Sequence, residues 1–295
     1  MSTKNCLAKS RSTDVPAFLQ AAQSGNLTVI HTLMAKHPRI AGQGSRDANK
    51  NTALMLAAAN GHLDCVQTLL SASHDRWVND KGMTALLLAA LNGHANVVGL
   101  LLPASNPIHK DEAGNTPLMH AAREGQLSCL KFLSGVSNHS IQNKKRHTAM
   151  LTAIESNHAA CVEHLIGFTN LSMKDVFGRT PLIWAVHFQH IECVRVLRPY
   201  SDIGVTDHYG FNALWHAGRH KNLKILDLLL PGSGSEPLSA YRLQHIITTL
   251  RSRGDHDQAE YIESSNSRLE QQQLREICNV AVDTRQLRTT PTRRL

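Results

Sequence analysis

Aromatic side chains are scarce in this chain: Phe, Trp and Tyr make up 4% of it, while 42% of its residues are hydrophobic. Its core must therefore be built from Ala, Leu, Ile and Val, which suits closely stacked short helices better than a β-sandwich. Long apolar runs are missing too. No stretch approaches the roughly 18 apolar residues of a membrane span, and the opening MSTKNCLAKSRS has no apolar leader region. The expectation is no membrane insertion and a cytoplasmic location, with cytoskeletal association or nuclear entry left open. Acidic residues are outnumbered, 23 against 31 basic, for a net charge of +8. Residues 1–50 hold seven Lys or Arg against Asp14 and Asp47. That balance admits nucleic acid, an anionic surface or an acidic protein as partner, or simply a solvated basic surface.

Signatures of catalysis are absent as well. The sequence has no kinase Gly-rich loop, H-R-D or D-F-G. PGSGSEP at 231–237 has neither the spacing nor the strand context of a phosphate-binding loop. The chain is therefore read as non-enzymatic, without catalytic, cofactor or metal sites. Four of its six cysteines, Cys65, Cys129, Cys161 and Cys193, share one repeated position, where Val97 takes the remaining slot. A residue exchangeable with Val acts as a small buried hydrophobe, so reduced thiols are expected. The His-x-x-Cys pairs at His62, His158 and His190 join two separately repeated positions, so their spacing is inherited and is not a ligand pattern.

What the sequence does have is repetition. Thr52, Thr84, Thr116, Thr148 and Thr180 recur every 32 residues, and Asn212 continues the series. Self-similarity at that period means stacked units that cannot fold singly. Each copy opens with Asp or Asn (Asp47, Asn79, Asp111, Asn143, Asp175, Asp207), followed by a glycine at Gly82, Gly114, Gly178 and Gly210. This pattern suits a tight finger that needs positive φ. Thr then caps a first helix, and Pro117 and Pro181 occupy N1. The Ala pairs Ala57-Ala58, Ala89-Ala90 and Ala121-Ala122 allow close helix approach, and Gly61, Gly93 and Gly125 end that helix. A second helix carries Val66, Leu69 and Leu70, then Val98, Leu101 and Leu102, at i, i+3, i+4.

The consensus G-x-T-A/P-L-x-x-A-A-x-x-G-H-x-x-x-V-x-x-L-L strongly resembles the ankyrin repeat over about residues 14–230. Its TALMLAA wording resembles lineage-expanded ankyrin families of protists. The resemblance implies an all-α repeat solenoid of stacked antiparallel helix pairs joined by β-hairpin fingers, and a protein-binding role. About seven copies are read, near 14–46, 47–78, 79–110, 111–142, 143–174, 175–206 and 207–230. A flexible arm (1–13) precedes them. A linker (231–237), helical capping segments (238–284) and a disordered basic tail (285–295) follow. The family's usual His after T-P-L is replaced by Met55, Leu87, Met119, Leu151, Ile183 and Trp215, and the finger glycine by Lys50 and Arg146.

Scaffold positions are committed to stacking, so a partner must use the finger tips and the residues after the Ala pair. These are bland in the early copies and charged in the middle, at Arg123, Lys144 and Lys145. In the last two copies they turn aromatic and basic: Phe177, Arg179, His187 and Phe188, then His208, Tyr209, Phe211, Arg219 and His220. Aromatics beside Arg are the composition of binding hot spots. These twelve are the candidate partner-binding residues, for a protein bearing an acidic or peptide-like element. Trp184 and Trp215 are expected to pack inside. Nucleic-acid association through the basic ends ranks second and a structural spacer third. The chain is expected to be a monomer, with dimerisation through the C-terminal helices as the alternative.

Overall fold

The computed structural model describes residues 14–42, 45–72, 76–220 and 222–229, with scattered positions between 244 and 267. The expected arm, linker and basic tail lie outside the described residues, as do Leu243 and Ile246, expected on the apolar face of a helix over 238–253, and Leu269, Leu274 and Ile277, expected in a helical segment over 255–282. The chain divides into two compact units, Met1–Val176 and Phe177–Leu295.

The first unit holds five helix pairs: α1 (14–24) with α2 (Leu27–Lys36), α3 (Ala53–Ala59) with α4 (Leu63–Ala72), α5 (Ala85–Asn92) with α6 (Ala95–Leu101), α7 (Pro117–Arg123) with α8 (Leu127–Ser134), and α9 (Ala149–Glu155) with α10 (Ala159–Ile166). The second holds α11 (Pro181–His187) with α12 (Ile191–Leu197), and α13 (Ala213–Arg219) with α14 (Leu223–Leu229). The fold class is thus an all-α repeat solenoid. First helices pack on first helices, α3 on α5, α5 on α7 and α7 on α9, and likewise α11 on α13. Second helices do the same along α4, α6, α8 and α10, and in the pair α12 and α14. None of these helices is long enough to persist alone. What holds them is burial: the three Ala pairs are fully buried, as are Val66, Leu69, Val98 and Leu101. The apolar residues standing where the family has His, from Met55 to Trp215, are buried too.

Each first helix starts as its sequence requires. The hydroxyls of Thr52, Thr84, Thr116, Thr148 and Thr180 accept from the backbone N–H three residues on, and the Asn212 side chain does the same for Trp215. The fingers are turns rather than strands. In the first of them the Asp47 N–H donates to the Asn51 carbonyl, and the Asp47 carboxylate accepts from the N–H groups of Asn49 and Asn51. Among the described residues the β pairing is a single antiparallel bridge, Arg46 with Thr52. Successive fingers are tied by Glu112 N–H to Lys81 carbonyl at 3.1 Å, Lys144 N–H to Ala113 carbonyl at 3.0 Å, and in the second unit His208 N–H to Phe177 carbonyl at 2.9 Å. The finger residues that replace glycine adopt its conformation: Lys50 and Arg146 have φ of 60° and 61°.

A contact between copies explains the Gly-His pair. A Cβ added to Gly61 would lie 2.4 Å from the His94 ring, and one added to Gly125 would lie 2.6 Å from the ring of His158. Each ring thus sits on the glycine of the copy before it. The His94 Nε2 also lies 3.0 Å from the Ala59 carbonyl. Where Asn replaces this His, it caps the second helix instead: Asn26 accepts from Val29 N–H and Asn222 from Ile225 N–H.

At its described positions the C-terminal segment is helical except for a turn at Gly254, and Ile247, Leu250, Ala259 and Ile262 are buried. The Tyr261 hydroxyl donates to the Asp227 carboxylate on α14. This is the capping role expected of a segment that covers the end of a repeat stack.

Candidate protein-binding surface

The twelve candidate residues divide between the units. Arg123, Lys144 and Lys145 belong to the first, the other nine to the second. Arg123 ends α7 and is turned on its own neighbours, its Nε donating to Glu124 at 2.9 Å and its Nη2 lying 3.1 Å from His120 Nδ1. Lys144 and Lys145 stand exposed at a finger tip, with Lys145 3.9 Å from Glu155. At the finger position just before the capping Thr, Met83 and His147 are buried, whereas Asn51 and Arg179 are half-buried.

In the second unit, six of the nine meet around one cavity of about 360 Å³. Phe177, Arg179, His187, Tyr209, Phe211 and Arg219 line it, with Asp207, Trp215 and His216. The fingers deliver Phe177, Arg179, Tyr209 and Phe211; α11 and α13 deliver His187, Trp215, His216 and Arg219. Phe211 stacks on Trp215 with ring centres 3.7 Å apart and planes 12° from parallel. The Arg179 guanidinium lies 4.6 Å from the Phe177 ring and 4.4 Å from that of Trp184, and Arg219 lies 5.7 Å from Trp215. These cation–π contacts hold two charged planes beside aromatic walls. Tyr209 is 68% exposed and Phe177 47%.

Phe188, His208 and His220 stand off this cavity. Phe188 packs on Trp184 at 4.9 Å and lies parallel to His190. His208 rests its ring over Gly178, and His220 is 5.8 Å from His187.

Sequence reasoning did not single out Asp207 and His216 as a pair. The Asp207 Oδ1 accepts from the N–H groups of Tyr209 and Phe211, both at 2.9 Å, and its Oδ2 lies 2.9 Å from His216 Nε2. Burial pushes the His216 pKa down although Asp207 favours the charged ring. His187 is likewise lowered, by burial first and then by Arg179 and its neighbouring histidines. The signal was legible: Asp111 and His120 have the same nine-residue spacing at the same repeat positions and make the same bond at 2.8 Å. Trp184 and Trp215 are buried as expected, and Trp215 is also a cavity wall.

Cys65, Cys129, Cys161 and Cys193 are buried thiols, none of them in a disulfide. Burial pushes Cys129 up to about 11 and Cys193 to about 12, which keeps both protonated and unreactive. Among the described residues no helix is long and apolar enough to cross a membrane.

Comparison with known proteins gives the class. A model of ankyrin repeats, in three copies, matches residues 18–111, 104–172 and 161–239. The chain belongs to the ankyrin-repeat family, whose members are generally protein–protein interaction modules. Among solved structures it is similar to the human ASB11 ankyrin repeat domain, with a TM-score of 0.61 and 23% identity. That likeness covers 73% of this chain and 99% of the other, and at this identity it speaks for the fold alone. Comparison with curated proteins gives no match.

Proposed function

We propose that this protein is a non-enzymatic ankyrin-repeat scaffold or adaptor, working in the cytoplasm, that holds a protein partner chiefly through the finger tips and first-helix ends of its second unit. The observation that carries the reading is the concentration of aromatics and arginines around one cavity there, with Phe177, Tyr209 and Arg219 exposed. In a chain only 4% aromatic, Phe177, Tyr209, Phe211 and Trp215 converge on one cavity with Arg179 and Arg219. Large rigid rings beside guanidinium groups concentrate binding energy in few residues. Arg123, Lys144 and Lys145 are proposed as additional contacts, and Phe188, His208 and His220 as support around the cavity.

The polyanion reading finds less support. In the basic 36–50 link, Lys36 pairs with Asp14 at 2.7 Å, Arg46 donates to the Val78 carbonyl at 3.2 Å, and Lys50 pairs with Asp80. Those cations are already engaged within the fold.

The test is affinity capture from a cell lysate with the intact chain beside a Phe177→Ala, Tyr209→Ala double variant, identifying captured proteins by mass spectrometry. Both side chains are well exposed, so the variant is expected to unfold within a few degrees of the parent while losing its specific partners. Partners retained in full by a folded variant would remove the proposal.

A further inference from the structure

The geometry points to the chemistry of the element recognised: a peptide segment of the partner presenting a carboxylate side chain next to an aromatic one, with the ring seated in the second-unit cavity and the carboxylate on Arg219. This rests on the function proposed above and names what that site takes.

Three features select this occupant. The first is the wall. Phe211, stacked on the buried Trp215, lines the cavity with the exposed Phe177 and Tyr209, and a cavity of about 360 Å³ is on the scale that takes a single side chain with its flanking backbone. Aromatic rings prefer offset or edge contacts with one another.

The second is charge. Arg219 is exposed on the last turn of α13 and has no carboxylate partner among the described residues. The one carboxylate in the cavity, that of Asp207, is already taken up by two backbone N–H groups and His216. A cationic ligand would meet an acid whose acceptors are occupied. An anionic one meets a guanidinium able to donate two parallel bonds. His187 and His216 are held toward the neutral form by burial, so the positive charge at the cavity comes from its two arginines.

The third is extent. Phe177 and Tyr209, which line the cavity, remain 47% and 68% exposed. A free small anion would leave those rings in water, whereas a chain running across the fingers covers them. A peptide is therefore the occupant, and a metabolite of the same chemistry is the competing outcome.

The test uses the full chain and fluorescein-labelled peptide amides in polarisation titrations. One peptide carries phenylalanine between two glutamates, a second carries it between two lysines, and a third replaces the phenylalanine with alanine. The expected result is saturable binding of the first, about tenfold weaker binding of the other two, and a loss of about tenfold for the first peptide on Arg219→Gln. The thermal midpoint of Arg219→Gln should match the parent, since this side chain is exposed. Phenylacetate should displace the peptide only at concentrations about a hundredfold higher. Equal binding of acidic and basic peptides, an Arg219→Gln variant that binds like the parent, displacement by phenylacetate at matched concentration, or no saturable binding at all would each overturn the inference. Such a failure with partner capture still lost in the Phe177, Tyr209 variant would leave the proposed function standing; failure of both would remove both.

Discussion

At the scale of single residues, the left-handed positions carry the most information, because the same φ is used for two different reasons. At Gly61 the φ is +75° and the missing Cβ makes room for the His94 ring. At Arg146 the φ is +61°, a conformation that costs an L side chain about 1–2 kcal/mol. The two sites should therefore respond in opposite directions. Gly61→Ala is expected to destabilise by about 2 kcal/mol, through φ strain and displacement of the ring, and Arg146→Gly to stabilise by about 0.5 kcal/mol. Urea unfolding of the two variants checks this, and a stabilised Gly61→Ala would contradict the interlock. The glycines themselves were legible in the sequence, since each stands at a repeated turn. Their packing role was not. The ring that needs the space belongs to the next copy, so adjacency within Gly-His hides a contact made across about one repeat.

At the scale of elements, the helices were readable from Thr caps, Ala pairs and the i, i+3, i+4 rows, because each of these acts within a few residues. The fingers were readable as turns but not as strands: one bridge is all that their length permits among the described residues. The cavity was legible only in part. Its aromatic and Arg members stand out as departures from the repeat. Asp207 and His216 repeat the spacing of Asp111 and His120, a legible pairing whose place at the cavity only the fold supplies. The C-terminal helical positions also belong to this scale. Leu250 and Ile262 are fully buried although the segment lies outside the repeat pattern. Leu250→Ala and Ile262→Ala should each cost about 2–4 kcal/mol of stability, as core truncations do, measured by denaturant unfolding. A cost below about 0.5 kcal/mol would mean the segment is not part of the folded unit.

At the scale of the whole molecule, burial of histidine sets the response to acid. His120, His164, His187, His216 and His220 are all held below the ordinary value of 6.5, with burial as the first cause. Unfolded chains take protons on these rings as pH falls through 6.5, while the folded chain takes them only at lower pH. The unfolded state then binds more protons, so stability must fall as pH drops below that point. The thermal midpoint should be lower near pH 5.5 than at about pH 7.5, and an unchanged midpoint would mean the rings are not buried in solution. Returning to the ring that rests on the preceding glycine, its successive partners are Gly25 with His62, Gly61 with His94, Gly93 with Gln126 and Gly125 with His158. Three of these four joints pair glycine with a histidine ring, and the Gln126 amide fills the same place at the fourth. A gene that loses or duplicates one whole period there rejoins a socket to a plug of the same shape, so the number of copies can drift while each junction stays sound. Extra length is tolerated where it falls in the link between helix pairs: the first period is longer than the others, yet the His62 ring still seats on Gly25.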